Sequence, residues 1–239
     1  MLVSTKAIVI STIKYGDAGV IAKCFTASDG IKSYLLRGIL KSKKGKLKIA
    51  YFQPLMQLEI VANHKNKGSL EYIKEVKTVY PYASIHTNII KSSIVLFLSE
   101  ILNYSIQEEE KNETLFKFIE NALQWLDIHD EISNFHISFL IQLTKYFGFY
   151  PEIKHIHKNY FDLHEGQFFD MSTMNECITG ENLTCFKQLL GIKFDEQNTI
   201  KLSSYRRNEI LAILIQYFKL HLQGFRQPKS MEVLHEVFK

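Results

Sequence analysis

At 239 residues with 46% apolar side chains, the chain is long enough for two domains and apolar enough to give each a core, which excludes an intrinsically disordered protein. No run approaches the ~20 apolar residues of a membrane span, and Cys24, Cys177 and Cys185 are too few and too irregularly spaced for a disulfide framework. Membrane insertion and a secreted disulfide scaffold are therefore excluded. With no leader pattern in Met1–Ile13, the chain is expected in the cytoplasm. The net charge of +4 conceals an asymmetry: residues 1–80 hold 14 Lys and Arg against 5 Asp and Glu, while residues 81–239 hold 15 against 20. A basic unit joined to a mildly acidic one is expected where only one domain meets a polyanion.

The β-branched run Lys6–Ile13 reads as a strand, Tyr15-Gly16-Asp17 turns the chain, and Val20–Thr26 is a second strand. After the turn chemistry of Ser28-Asp29-Gly30, Ile31–Leu36 is a third. It leads into Arg37–Lys48, where six of twelve residues are Lys or Arg and none is acidic, and where Gly38 and Gly45 interrupt any helix. This is a loop that needs a polyanion or serves solvation alone, and the charge asymmetry favours the polyanion. Leu55–Ala62 and Leu70–Val79 are the fourth and fifth strands, separated by a polar turn over 63–68. Five short strands with a long loop between the third and fourth predict a small barrel closing its own edges, with the OB-fold as the natural candidate. OB-folds commonly hold single strands by pairing a positive groove with aromatic platforms. Tyr15, Phe25, Tyr34, Tyr51, Phe52 and Tyr72 are the aromatics available, most of them expected in the core.

Pro81 ends the β regime, and the domain boundary is placed there, giving domains of 1–80 and 81–239. Helical periodicity follows at Ser84–Tyr104 and Glu113–Leu126, with a third helix capped by Asp130 or Ser133 and ending at Gly148. From Pro151 to about residue 180 neither helical nor strand period holds, and the stretch reads as a small irregular insertion. Helices resume at Asn182–Leu190, at Arg207–Leu222 behind Ser203 or Ser204, and at Ser230–Phe238. The fold class is α+β multidomain: a five-stranded OB-fold barrel, then an all-α domain carrying the insertion.

His155, His157, His164, Cys177 and Cys185 gather in or after the insertion, but they lack the close pairs of a structural zinc site, so neither metal nor other cofactor is expected. No phosphate-binding glycine loop, nucleophile elbow, H-E-x-x-H or kinase signature is present, and Glu108-Glu109-Glu110 reads as a solvated charge run. An enzyme is not expected. Arg206-Arg207, with Lys201, Arg226 and Lys229, is a second basic feature that can extend a nucleic-acid path, receive an acidic peptide, or be plain surface charge. The residues expected to contact DNA are Lys14, Lys32, Arg37, Lys41, Lys43, Lys44, Lys46, Lys48, Arg206 and Arg207. Two other classes stand beside this reading: a protein–protein adaptor without direct DNA binding, and a metal-dependent nuclease, which the missing carboxylate constellation disfavours.

Several features in order and spacing resemble the RecO family of bacterial recombination mediators over nearly the whole chain. They are Tyr15-Gly16-Asp17, Arg37-Gly38 with Lys41-Ser42, Gln53-Pro54-Leu55, Gly68-Ser69-Leu70, Phe147-Gly148-Phe149-Tyr150-Pro151 and Arg226-x-x-Lys229-Ser230. The resemblance implies an OB-fold on a helical domain without a catalytic centre. It also implies binding of single- and double-stranded DNA, annealing of complementary strands, and action with RecR to help load RecA onto strands covered by single-stranded-DNA-binding protein, whose acidic C-terminal tail is recognised. Such a protein works in the bacterial cytoplasm, at the nucleoid during repair. Many members of that family carry four zinc-binding cysteines after the G-x-x-P element, whereas residues 154–175 here have none, and Phe161, Phe168 and Phe169 are expected to pack in the metal's place.

Overall fold

In a computed structural model of the chain, residues 1–41, 47–65, 70–107 and 110–239 are described, with backbone alone at 197 and 198. They form two compact units, residues 1–128 with 228–231 and residues 129–227 with 232–239.

The first unit is built on five antiparallel strands: β1 (Leu2–Tyr15), β2 (Gly19–Thr26), β3 (Gly30–Leu36), β4 (Gln57–Asn63) and β5 (Tyr72–Thr78). Their order in the sheet is β3-β2-β1-β4-β5. β1 pairs with β4 along Leu2–Ile8 and with β2 along Ala7–Tyr15, and the register shifts between Val9 and Ser11. An extra residue at such a point bends and twists a strand, so β1 serves one neighbour and then the other. Ala7, Val9, Ala22, Cys24, Tyr34, Leu58 and Ile60 fill the inner face, joined by Phe52 from a short 3-10 turn at Ile49–Phe52. Burial pushes the Cys24 thiol up to about 12, which makes it a packing residue and not a nucleophile.

The expected closed barrel is corrected in one respect. The sheet ends at β3 and β5, and among the described residues these edges are joined by one isolated parallel bridge, between Tyr34 and Glu71. Leu35 N–H donates to Glu71 C=O at 2.9 Å and Glu71 N–H to Ser33 C=O at 2.8 Å. From Tyr72, which pairs with Asn63, β5 is committed to β4. Among the described residues, the backbone hydrogen bonds across this gap are the two of Glu71.

Two helices, α1 (Ile89–Ser105) and α2 (Glu113–Ile128), belong to the same unit. Pro81 is where strand gives way to helix, and the compact unit carries on through α2. On the sheet face opposite the inner core, Ile8, Phe25 and Ile31 lie in one row across three strands and are buried. The Phe25 ring sits 5.7 Å from Phe116 of α2. Lys23 Nζ donates to the carbonyl and Oδ1 of Asn103, both at 3.1 Å, and burial lowers its pKa.

α1 starts at Ile89, where Ser84 was expected, because another acceptor captures the N–H groups of that turn. The buried carboxylate of Asp127 accepts from Ala83 and Ser84 N–H at 2.8 Å and Ile85 N–H at 3.0 Å. Asn88 then caps the helix, its Oδ1 accepting from Ile90 and Lys91 N–H. The buried Lys91 ammonium completes the knot, donating to Ser84 Oγ at 2.7 Å and to the Asp127 carbonyl at 2.9 Å.

The second unit holds α3 (Phe135–Tyr146), α4 (Gly180–Leu189), α5 (Ser204–His221) and most of α6 (Met231–Val237). Ser203 Oγ caps α5 by accepting from Arg206 N–H at 3.2 Å. The stretch expected to be irregular contains a small antiparallel sheet, β6 (Tyr160–Asp162), β7 (Gln167–Phe169) and β8 (Cys177–Ile178), ordered β7-β6-β8. Strands of two or three residues are too short to print a period in sequence.

Burial pushes the Asp127 carboxyl up, but the three backbone N–H groups and Ser84 more than offset this and hold it below the usual range. A depressed folded pKa contributes stability that is present above the unfolded value and lost as pH falls through the folded one. Asp127→Asn is expected to cost about 2–3 kcal/mol at neutral pH. Chemical denaturation is expected to show a flatter loss of stability below about pH 4 for the variant than for the parent chain.

Candidate nucleic-acid interface

Cations of the first unit look alike in sequence and are sorted by the fold. Lys6 pairs with Glu120 at 2.8 Å and Lys77 with Glu59 at 2.6 Å, while Lys23 is committed to Asn103. Lys32, expected to contact DNA, is buried on β3, and its charge helps hold Asp29. Burial raises the Asp29 carboxyl, but hydrogen bonds from Ser28 and His64 and the charges of His64 and Lys32 leave it below its ordinary value. A buried lysine serving a neighbouring carboxylate is not a phosphate contact.

The remaining cations differ. Lys14, Arg37, Lys41, Lys48, Lys65 and Lys74 are exposed, and among the described residues none of them sits in an ion pair. Gly16 and Gly38, with φ of 60° and 68°, make the turns that follow β1 and β3. Leu40 N–H donates to Ala18 C=O at 3.1 Å, so the segment after β3 folds back on the β1–β2 hairpin. Lys43, Lys44 and Lys46 lie outside the described residues.

The β3–β5 bridge adds a cluster that sequence reasoning missed. Arg37 Nη2 donates to Tyr72 Oη at 3.0 Å, with its guanidinium carbon 5.4 Å from the ring centre, and Lys65 Nζ stands 6.0 Å from the same ring. Buried Glu71 fixes Lys65 from below, Oε1 accepting the Lys65 N–H at 2.7 Å. The only hint in sequence was a lysine in the turn before the fifth strand. Of the six aromatics considered, Phe25, Tyr34 and Phe52 are core, Tyr51 and Tyr72 are half-buried, and Tyr15 is exposed.

In the second unit, Arg206 and Arg207 are built into the structure. Arg206 pairs with Glu181 and donates to Asn182 Oδ1 at 2.8 Å. Arg207 is buried, donates to the Leu202 carbonyl at 3.1 Å and to Asn134 Oδ1 at 3.4 Å, and lies 5.2 Å from the Phe238 ring centre. Burial, then the charges of Arg207 and His235, lowers neighbouring His136 to about 3, so that imidazole stays neutral.

The insertion does not fit zinc. No group of three or more His, Cys, Asp or Glu capable of holding a metal occurs among the described residues. Where a metal would tie the strands, Asp162 does so: its carboxylate accepts from His164 N–H at 2.8 Å, Glu165 N–H at 3.0 Å, Asn175 Nδ2 at 3.0 Å and the Thr173 hydroxyl. The Phe161 ring lies tilted at 4.8 Å from Phe168 and 5.0 Å from Phe186, whereas Phe169 is only half-buried. Apolar packing and one saturated carboxylate hold this sheet.

An OB-type sheet with helices on its outer face, followed by a helical unit, defines the class. Family models carry it to the particular family. Residues 1–82 match "Recombination protein O N terminal" and residues 86–232 match "Recombination protein O C terminal". The chain is 54% identical over 238 residues to a DNA repair protein RecO of Flavobacterium psychrophilum and 50% identical over 238 residues to that of Flavobacterium johnsoniae, each covered in full on both sides. A RecO of Phocaeicola vulgatus, likewise covered in full, is 34% identical. The chain belongs to the RecO family of DNA-repair proteins, and its N-terminal domain is the OB-fold of that family. No described helix is long and apolar enough to cross a membrane.

Elemental analysis of the purified chain is expected to find far less than one zinc per molecule, with a melting temperature unmoved by a chelator. One zinc per chain, or unfolding on chelation, would contradict the Asp162 assignment.

Proposed function

We propose that this protein is a non-catalytic mediator that binds single- and double-stranded DNA through the exposed cations Lys14, Arg37, Lys41, Lys48 and Lys65 and anneals complementary strands. The observation that carries this reading is the sorting of charge: cations elsewhere on the sheet are paired or buried, while these six, Lys74 included, are left to solvent and to whatever anion arrives. The mechanism follows from electrostatics. Two strands that repel each other are screened by one positive surface, so encounter is faster and base pairing supplies the remaining free energy. RecO membership supports the further roles: acting with RecR to help load RecA onto strands covered by single-stranded-DNA-binding protein, through recognition of that protein's acidic tail, in the cytoplasm at the nucleoid.

About six cations on phosphate give log affinity for a single strand a slope near −4 against log salt. Replacing Arg37, Lys41 and Lys65 together with Ala is expected to flatten that slope by about 2 and weaken binding at low salt by at least about tenfold. Fluorescence anisotropy of a labelled oligonucleotide reads both. An unaltered slope and affinity would remove these residues from the interface.

A further inference from the structure

The core of the first unit holds a polar chain that the charge argument leaves unused. His64, the residue after β4, is 2% exposed, and Tyr34 of β3 is fully buried. Tyr34 Oη lies 2.8 Å from His64 Nε2, and His64 Nδ1 lies 3.0 Å from Asp29 Oδ2 in the turn between β2 and β3. Asp29 is held in turn by Ser28 Oγ and by the charge of Lys32. A carboxylate accepts and does not donate, so Nδ1 carries a proton and Nε2 shares a hydrogen bond with the phenol. Neither His64 nor Tyr34 is placed to touch a ligand.

Both sit at the seam between β3 and β5. Tyr34 is the β3 residue of the bridge, flanked by the two hydrogen bonds that Glu71 makes with Ser33 and Leu35. His64 immediately precedes Lys65, whose N–H is taken by Glu71 Oε1. Two consecutive residues are thus fastened to the two partners of one bridge, His64 to Tyr34 and Lys65 to Glu71. Above them, Arg37 and Lys65 stand 5.4 and 6.0 Å from the centre of the same Tyr72 ring. Cations gathered on one ring repel each other, and they part unless the backbone that carries them is fixed. An apolar contact would fill the space at the seam but let its edges slide, whereas hydrogen bonds at both ring nitrogens set the separation.

We propose that His64 is a positioning residue of the DNA interface: by tying Tyr34 to Asp29 it holds the β3–β5 seam in register and keeps Arg37 and Lys65 together on Tyr72, so that both cations act on the same stretch of strand. The proposal rests on the DNA-binding reading and adds to it the buried group that assembles the site. The His64 backbone is fixed separately, its N–H donating to Met1 C=O at 2.8 Å, so a side-chain change leaves β4 anchored.

The test titrates labelled oligothymidylate with the full chain at several salt concentrations, in parallel with melting curves. His64→Asn, which keeps a polar group toward Asp29 but stops short of Tyr34, is expected to weaken binding about tenfold and to flatten the log–log salt slope by about 1. His64→Gln, whose amide reaches the place of Nε2, is expected to restore both. In a chain already carrying Arg37→Ala and Lys65→Ala, His64→Asn is expected to cause no further loss. Salt-dependent binding by the parent chain with unchanged affinity and slope in a folded His64→Asn would overturn the positioning role and leave the cationic interface standing. An equal additional loss in the chain lacking Arg37 and Lys65 would also overturn it, since His64 would then serve the fold at large. Should His64→Asn fail to fold, Tyr34→Phe, which deletes one oxygen, decides by the same criteria. A parent chain without DNA affinity at low salt would remove both readings.

Discussion

Glu71 stands where the two edges of the first unit's sheet come together. Its N–H and C=O are both given to β3, its carboxylate takes the N–H of Lys65, and the next residue along holds Arg37 through a phenol. Sheet closure and cation placement are thus the same event. A buried carboxylate is costly unless its lone pairs are used, and here it accepts from the backbone of the very residue whose ammonium joins the cluster. Arg37 lies 28 residues before Lys65 in sequence, so only a non-local contact of this kind can set them on one aromatic ring.

The covering of the opposite face has a complementary effect. Phe25 packs on Phe116 of α2 beside the buried Ile8 and Ile31, and Lys6 and Lys23 are held to the helices by Glu120 and Asn103. The part of the outer surface around Phe25 is thereby covered, while Lys6, Lys74, Glu75 and Lys77 stay exposed along the strands. β1 matters here as well. Its shift of register near Ile10 frees the last part of the strand from β4, so that Ile13, Lys14 and Tyr15 project past the point where β4 could cover them.

Strands were legible because each carries enough β-branched and aromatic residues between turn-forming ones, and the helices because their apolar stripes run for three turns or more. What escaped reading has a physical cause in each case. The start of α1 was misplaced because an acceptor 42 to 44 residues away, Asp127, takes the N–H groups of its first expected turn. The closed barrel was an over-extension, since one bridge stands where a full ladder was expected. Lys14 and Lys32 are indistinguishable as letters, yet one is exposed and the other buried against the surroundings of Asp29. Arg206 and Arg207 read as a basic pair and turn out to be occupied by Glu181, Asn182, Asn134 and Leu202. Residue type announces a charge, whereas partners decide whether it is free.

Lysine acetylation in the presence and absence of a saturating single strand tests that distinction most directly, because it reports each ammonium separately in the intact chain. The account predicts that DNA protects Lys14, Lys41, Lys48 and Lys65 while Lys77 and Lys117, which are exposed but paired with Glu59 and Glu113, react at the same rate with or without it. Protection spread evenly over all exposed lysines, or confined to residues 129–239, would contradict it.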